Sequence, residues 1–323
     1  MKNNYDKFTF IGNGGDLFFI YVKNIFFSII TLGIYIFWAR VNVTRFLYNH
    51  SRYLDEPFDY HATGRERFIG FLKAAGIIIV FYLLIYGMTY ILNLFIDRRI
   101  VSYIIPGIVY AAIIAVIPFI LVGRERFRQS RSSWKAVRFR FTGTPGLIAK
   151  IFLKGLFLSF ITVGIYLPWF YCDLNRYFIT HSHFGNQAFD FHGTGKMLAK
   201  PFFIGILLAV ITLGIYFFWW GAALKRFVWD NTSIQGKRFT TTITGGQILA
   251  TTLLSALLII FTLGIGFPWA VIMNIRMYVT NMGLEPGVDF AAIKSDFDAK
   301  ASALSDGLSE AADALDSIGG MLP

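Results

Sequence analysis

The sequence is poor in what a water-soluble domain needs. Only 15% of its 323 residues are Asp, Glu, Lys or Arg, against about 25% in an ordinary globular chain. With 55% hydrophobic residues and 35 phenylalanines, a soluble fold would have nowhere to hide its apolar surface. Soluble globular, disordered, collagen-like and disulfide-scaffold classes are excluded. A single cysteine, Cys172, excludes an internal disulfide and any multi-thiolate metal site. The opening MKNNYDKFTF has no apolar run, so no cleaved signal peptide is expected. HExxH, GxSxG and Walker-loop patterns are missing, so neither catalytic residues nor a cofactor is expected. The class that remains is a polytopic membrane protein.

What is plentiful is positive charge in the right place. The net charge is +11, yet residues 291–323 are acidic, so residues 1–290 carry about +15. In a membrane protein such an excess marks cytoplasmic segments beside anionic lipid. No soluble basic domain is present, so nucleic acid is not expected as a partner.

Two motifs recur. TLGIYIFW (31–38), TVGIYLPW (162–169), TLGIYFFW (212–219) and TLGIGFPW (262–269) are copies of one pattern, and Phe119 marks a degenerate fifth. FTFIGNG (8–14), FDYHATG (58–64), VRFRFTG (137–143), FDFHGTG (189–195) and FTTTITG (239–245) form the second, with VDF (288–290) as a truncated sixth copy. Their alternation, followed by Thr-Gly or Asn-Gly, predicts short strands ending in turns. Gly185-Asn186, Gln235-Gly236 and Glu285-Pro286-Gly287 read as hairpin turns. One unit is therefore strand, apolar helix, Gly-Ile-Tyr break, second helix and hairpin turn.

If every unit is a hairpin crossing twice, 28 of the 30 Lys/Arg lie on the strand side and only Arg98 and Arg99 on the other. If most units cross once, the split is 19 to 11. The positive-inside rule favours the hairpins, with strands and both termini cytoplasmic. The second helices are less apolar than the ~20-residue stretch a crossing needs.

Seven residues beyond the Trp/Phe position stand Arg45, Arg126, Arg176, Arg226 and Arg276. Eleven beyond stand Asn49, Ser130, Thr180, Asp230 and Thr280. These positions share one helical face. Upright, each Arg would sit roughly 15 Å into the membrane. The stripe can line a cavity for an anion or lipid headgroup, with Asn49, Thr180 and Asp230 beside the arginines. The other reading is that the helices tilt and each Arg snorkels to the cytoplasmic interface, or ties down strand carbonyls in every unit, and recurrence in all five units fits such a structural role better. His50 and His181 share one repeat position, and His61 and His192 another; Asp59 and Asp190 lie two residues before the latter pair. Such a set can bind a divalent metal or form a polar strand face.

Phe10 to Phe18, Thr31 to Ala39, Arg45-Phe46 and Phe58 to Gly64 resemble the YjgN-like family of bacterial inner-membrane proteins. The resemblance runs over about residues 8–290. It implies a multi-pass inner-membrane protein of uncharacterised function, with a membrane zinc peptidase as a partner. The expectation is thus an all-α polytopic membrane protein of five pseudo-repeated transmembrane helical hairpins (8–57, 58–136, 137–188, 189–238, 239–290). Short cytoplasmic β-strands join the units. Residues 291–323 form an acidic amphipathic cytoplasmic tail. The function expected is transport or binding of an anionic solute or lipid through the Arg-lined cavity. The alternative is a non-catalytic scaffold or regulatory subunit of another membrane protein. Membrane lipids, and a protein bound through the tail, are the expected partners.

Overall fold

A computed structural model describes residues 5–293. Most of the expected tail helix, from residue 294 onward, lies outside the described residues. The chain runs β1 (Asp6–Phe10), α1 (Gly14–Ile30), α2 (Ile36–His50), β2 (Ser51–Tyr53), β3 (Glu56–Tyr60), α3 (Gly64–Phe95) and α4 (Arg98–Ser130). It continues through β4 (Ser132–Trp134), β5 (Val137–Phe141), α5 (Pro145–Ile161), α6 (Leu167–Thr180), β6 (Ser182–Phe184) and β7 (Gln187–Phe191). It ends with α7 (Gly195–Ile211), α8 (Phe217–Asp230), β8 (Thr232–Ile234), β9 (Lys237–Thr241), α9 (Gly245–Phe261), α10 (Phe267–Thr280) and β10 (Met282–Leu284).

The expectation of an all-α protein of five transmembrane hairpins is overturned. The ten strands pair antiparallel in chain order, and β1 closes on β10 through Asp6↔Leu284 and Lys7↔Gly283 to make a barrel. Short strands of three to five residues could not stand alone, because each would leave an edge of unpaired amides; closure removes every edge. Among the described residues, only α3 and α4, of 32 and 33 residues, are long and apolar enough to cross a membrane. The other helices have 14 to 17 residues, roughly 21–26 Å at 1.5 Å per residue.

All helix pairs leave one end of the barrel and all tight turns lie at the other. Consecutive helices pack side by side, and α10 packs on α1, closing a ring above the strands. The turns at Leu54-Asp55, Lys135-Ala136 and Gln235-Gly236 have positive φ at both residues. That is the geometry whose twist matches a two-residue hairpin. Leu54-Asp55 carries only the Asp as a turn residue, and Lys135-Ala136 carries none. The expected sixth strand at VDF is not formed: the edge it would pair with is already taken by β1. Instead Phe290 turns back into the barrel, 4.9 Å from the Trp134 ring.

The strand motif also ends differently from its reading. Asn13, Thr63, Thr194 and Thr244 are N-caps whose side chains accept the N–H three residues on. In the third copy the cap position is Thr144, not Thr142, so that copy is shifted by two residues. The Gly that follows the cap lies under the Trp of the preceding helix. Trp38 covers Gly64, Trp169 covers Gly195, Trp219 covers Gly245, and Trp269 covers Gly14 across the closure. At the remaining joint, Phe119 and Pro145 stand where the other joints have Trp and Gly.

Candidate functional site

Alternation puts every second strand residue inside the barrel. Five cross-strand pairs ring the lumen: Phe8↔Tyr53, Phe58↔Trp134, Phe139↔Phe184, Phe189↔Ile234 and Phe239↔Leu284. Their rings touch at centroid distances such as 4.5 Å for Phe8–Tyr53 and 4.9 Å for Phe139–Phe184, favourable offset and tilted arrangements. Phe290 and Ile293 pack into the same cluster. Gln235 exchanges hydrogen bonds with the Asp289 backbone at 2.9 and 3.3 Å, which ties this segment to the β8–β9 turn.

A half-open cavity of 540 Å³ borders this packed cluster on its helix side. That volume is within the range of small-molecule sites. Its walls are apolar, aromatic with Ile234, Met282 and Leu284, except towards the helices, where polar groups such as Glu125, Arg128, Gln129 and Ser182 contribute. Arg128 pairs with the buried Glu125 at 2.6 Å, and Arg124, 69% exposed and outside the cavity lining, lies 3.6 Å from the same carboxylate. Gln129 donates to Ser182 Oγ at 2.6 Å, while its Oε1 is buried and accepts no hydrogen bond. A buried acceptor left open costs free energy unless a partner arrives. The Tyr53 phenol is pushed up to about 12 by burial and the nearby Asp6 charge, so it stays neutral. This chamber was not visible in the sequence: its residues are spread from Phe8 to Phe290, and only the alternation within each strand hinted at a shared face.

The arginine stripe lies elsewhere. Arg45 donates to the Ala62 carbonyl at 3.0 Å, Arg126 to Gly143 at 2.9 Å, Arg176 to Gly193 at 2.8 Å, Arg226 to Ile243 at 3.1 Å and Arg276 to Gly12 at 2.9 Å. Each thus holds the segment between the next strand and its helix, and the last does so across the closure. None of the five lines the barrel cavity. Thr180 Oγ1 donates back to Arg176 O at 2.7 Å. Asp230 accepts from Thr240 Oγ1 and the Thr241 N–H. Asn49, with its amide turned, donates to the Arg45 and Phe58 carbonyls.

Four of the histidines are held by bonds within a helix end or across neighbouring strands. His50 and His181 Nδ1 meet carbonyls four residues back, at 2.7 and 2.8 Å. His61 and His192 Nε2 meet Ser133 and Ser233 Oγ at 2.7 and 2.9 Å. Asp59 and Asp190 sit opposite the same two serines in the strand register. Among the described residues no three His, Cys, Asp or Glu groups come together to hold a metal.

His183, on β6 opposite Arg140, has its pKa lowered by burial first and then by the charges of Arg140 and His181, against the opposing bond to the His181 carbonyl. The unfolded chain therefore binds this proton more readily than the folded one. Stability through His183 is complete above about pH 6.5 and falls as the pH drops below that value. Unfolding midpoints in mild detergent from pH 7.5 to 5.5 should decline less in His183→Asn than in the parent; equal declines would refute the assignment.

A barrel of ten strands crowned by ten helices, two of them long enough to span a bilayer, is an architecture for which no solved structure matches the chain. By sequence, the chain belongs to the family described as "Bacterial protein of unknown function (DUF898)", matched over residues 5–207, 187–253 and 220–311. It is 30% identical over 144 residues to "Inner membrane protein YjgN" of Salmonella typhimurium, covering 43% of this chain and 32% of that protein. Against the protein of the same name in Escherichia coli K12 it is 39% identical over 66 residues, covering 20% of this chain and 17% of that one. The Escherichia coli O157:H7 protein is 27% identical over 135 residues, covering 42% and 31%. The matched stretches span about a third or less of these relatives. The resemblance expected from the motifs is thereby borne out.

Proposed function

We propose that this is a bacterial inner-membrane protein, anchored by the α3–α4 hairpin, whose barrel binds an amphiphile with an apolar tail and a neutral hydrogen-bonding head. The observation that carries this reading is the half-open, largely apolar cavity with an open acceptor, Gln129 Oε1, at its polar end. Membrane anchoring is supported by the relatives' name and by two long apolar helices whose surfaces are almost wholly uncovered by protein. A soluble core helix would be covered. A tail would lie against Trp134 and Phe139, and a head would meet Gln129 and Ser182. Glu125 neutralises Arg128, so a neutral head fits better than an anionic one. Binding fits better than transport because Phe290 and Ile293 stop the turn end of the lumen. The five arginines, with Asn49, Thr180 and Asp230, serve the site indirectly by fixing the strand ends that form its wall.

Native mass spectrometry in mild detergent tests this with monolauroylglycerol as the probe. The parent should retain one molecule of it. Leu284→Trp and Ile234→Phe, which fill the lumen, should weaken retention at least tenfold, and Arg176→Leu should leave it within about threefold. Equal retention by the folded filled variants, or none by the parent, refutes a lumen site. Loss in Arg176→Leu alone moves the site to the arginines. A bare chain that carries another protein instead favours the scaffold reading.

A further inference from the structure

Four of the five helix pairs end in a turn that carries no charge and needs no water. Leu32, Val163, Leu213 and Leu263, at the tips, are 94, 91, 94 and 94% exposed. No Asp, Glu, Lys or Arg occurs in residues 24–39, 155–172, 201–224 or 239–275 around them. A hairpin tip in water would be expected to be polar, and such exposed apolar clusters mark a contact surface.

The backbone of these tips is unusually self-sufficient. In the first, the N–H groups of Thr31, Leu32, Gly33, Ile34 and Ile36 all donate to backbone carbonyls, and Tyr35 N–H donates to Thr31 Oγ1 at 2.9 Å. The same hydroxyl donates to the Phe27 carbonyl at 2.7 Å. The turns at Thr162, Thr212 and Thr262 repeat the pattern in full. The left-handed Leu-Gly or Val-Gly step, with φ of 49–51° then 86–92°, is what lets the chain reverse while keeping each N–H paired. Complete internal pairing is the condition for backbone inside hydrocarbon.

Length then decides how far these pairs reach. The recurring arginine lies nine residues from the start of α2, α6, α8 and α10, so each tip stands roughly 15 Å beyond the arginine level. That is about half of a ~30 Å hydrocarbon core. In α4, Arg126 and Arg98 are 28 residues apart, roughly 42 Å, and this one tip is Asp97-Arg98-Arg99. The long hairpin reaches water on the far side, and the four short ones do not.

Resting on the membrane anchoring proposed above, we infer that the α1–α2, α5–α6, α7–α8 and α9–α10 hairpins are re-entrant wedges. They enter only the leaflet on the barrel side, with their tips near the bilayer midplane and the five arginines at the headgroups. The partner of this surface is the acyl-chain interior of one leaflet.

Spin labels on the full chain in phosphatidylethanolamine–phosphatidylglycerol vesicles test this. Single cysteines would replace Leu32, Val163, Leu213 and Leu263, with Leu84→Cys, Arg99→Cys and Asp55→Cys as references, in a Cys172→Ala background. Collision with oxygen and with a water-soluble nickel chelate reports depth. The four tips should meet oxygen and should be at least tenfold less accessible to the chelate than Arg99→Cys and Asp55→Cys. Tips open to the chelate while Leu84→Cys is shielded would overturn the wedges and leave the anchor standing. Tips closed to both oxygen and chelate would also overturn them, because protein rather than lipid would then cover the surface. A Leu84→Cys label open to the chelate would remove the membrane anchoring, and the wedges with it.

Discussion

Trp134→Ala should lower the unfolding free energy by about 3–5 kcal/mol, the usual cost of truncating a buried large aromatic. Trp134 is 2% exposed and sits where the lumen pairs meet the plug. Its ring lies 5.4 Å from Tyr53, 5.9 Å from Phe184 and 4.9 Å from Phe290, and its Nε1 donates to the Glu56 carbonyl at 3.2 Å. Removal takes away apolar contacts with two strands and with the Phe290 segment at once, and leaves that carbonyl without its side-chain donor. Trp134→Phe keeps most of the contact area and loses the hydrogen bond, a net contribution of about 1 kcal/mol. Unfolding midpoints of the purified protein in mild detergent measure both. If alanine costs no more than phenylalanine, the Trp134 ring is not packed as its contacts with Tyr53, Phe184 and Phe290 imply.

Gly245→Ala should cost about 3 kcal/mol, the upper part of the range for overpacking, while Gly246→Ala should be neutral or stabilising by up to about 1 kcal/mol. A Cβ on Gly245 would press on the Trp219 Cα as well as its ring, and backbone cannot swing away as a side chain can. A Cβ on Gly246 meets nothing within 4 Å, so there only the helix preference of alanine acts. Gly195→Ala should behave like Gly245→Ala, since its Cβ would come within 2.6 Å of the Trp169 Cα. The same unfolding measurement separates the neighbours; equal effects at 245 and 246 would show that the Trp–Gly seat is loose. The contact explains why two motifs that look unrelated in the sequence keep one spacing. In each complete joint the Trp that follows the helix break lies over the Gly that follows the strand, and where Trp gives way to Phe119 the Gly gives way to Pro145.

Several features were legible because they depend on neighbours in the chain. The strands showed as alternation, as in Phe8–Phe10 and Phe189–Phe191. The helix breaks showed as a Gly that can take positive φ, and the structure puts Gly33, Gly164, Gly214 and Gly264 there. The long helices α3 and α4 carry apolar runs free of Asp, Glu, Lys and Arg over residues 74–96 and 100–123, which composition alone makes plain. The recurring Arg at one helical position was equally plain, although its bonding partners were not. Positions that obey no local rule went unseen. Leu54-Asp55 and Lys135-Ala136 adopt a left-handed turn only because the strands on either side demand it. The shifted third cap at Thr144 was hidden by a nearby Thr-Gly of the same appearance.

By itself, the sequence determined the membrane class, the alternation of short strands with apolar helices, the break chemistry and the family. Each follows from composition or from hydrogen bonds within a few residues. Tertiary structure alone decided that the strands close on one another, because the pairing of Asp6 with Leu284 joins segments at opposite ends of the described chain. That closure turned an expected set of crossing hairpins into a barrel with a lumen. It also left VDF without a strand to join, sending Phe290 inward. Helix length settled the rest: an apolar helix of 17 residues and one of 32 share a composition, and only the longer can carry charge to the far side of a bilayer.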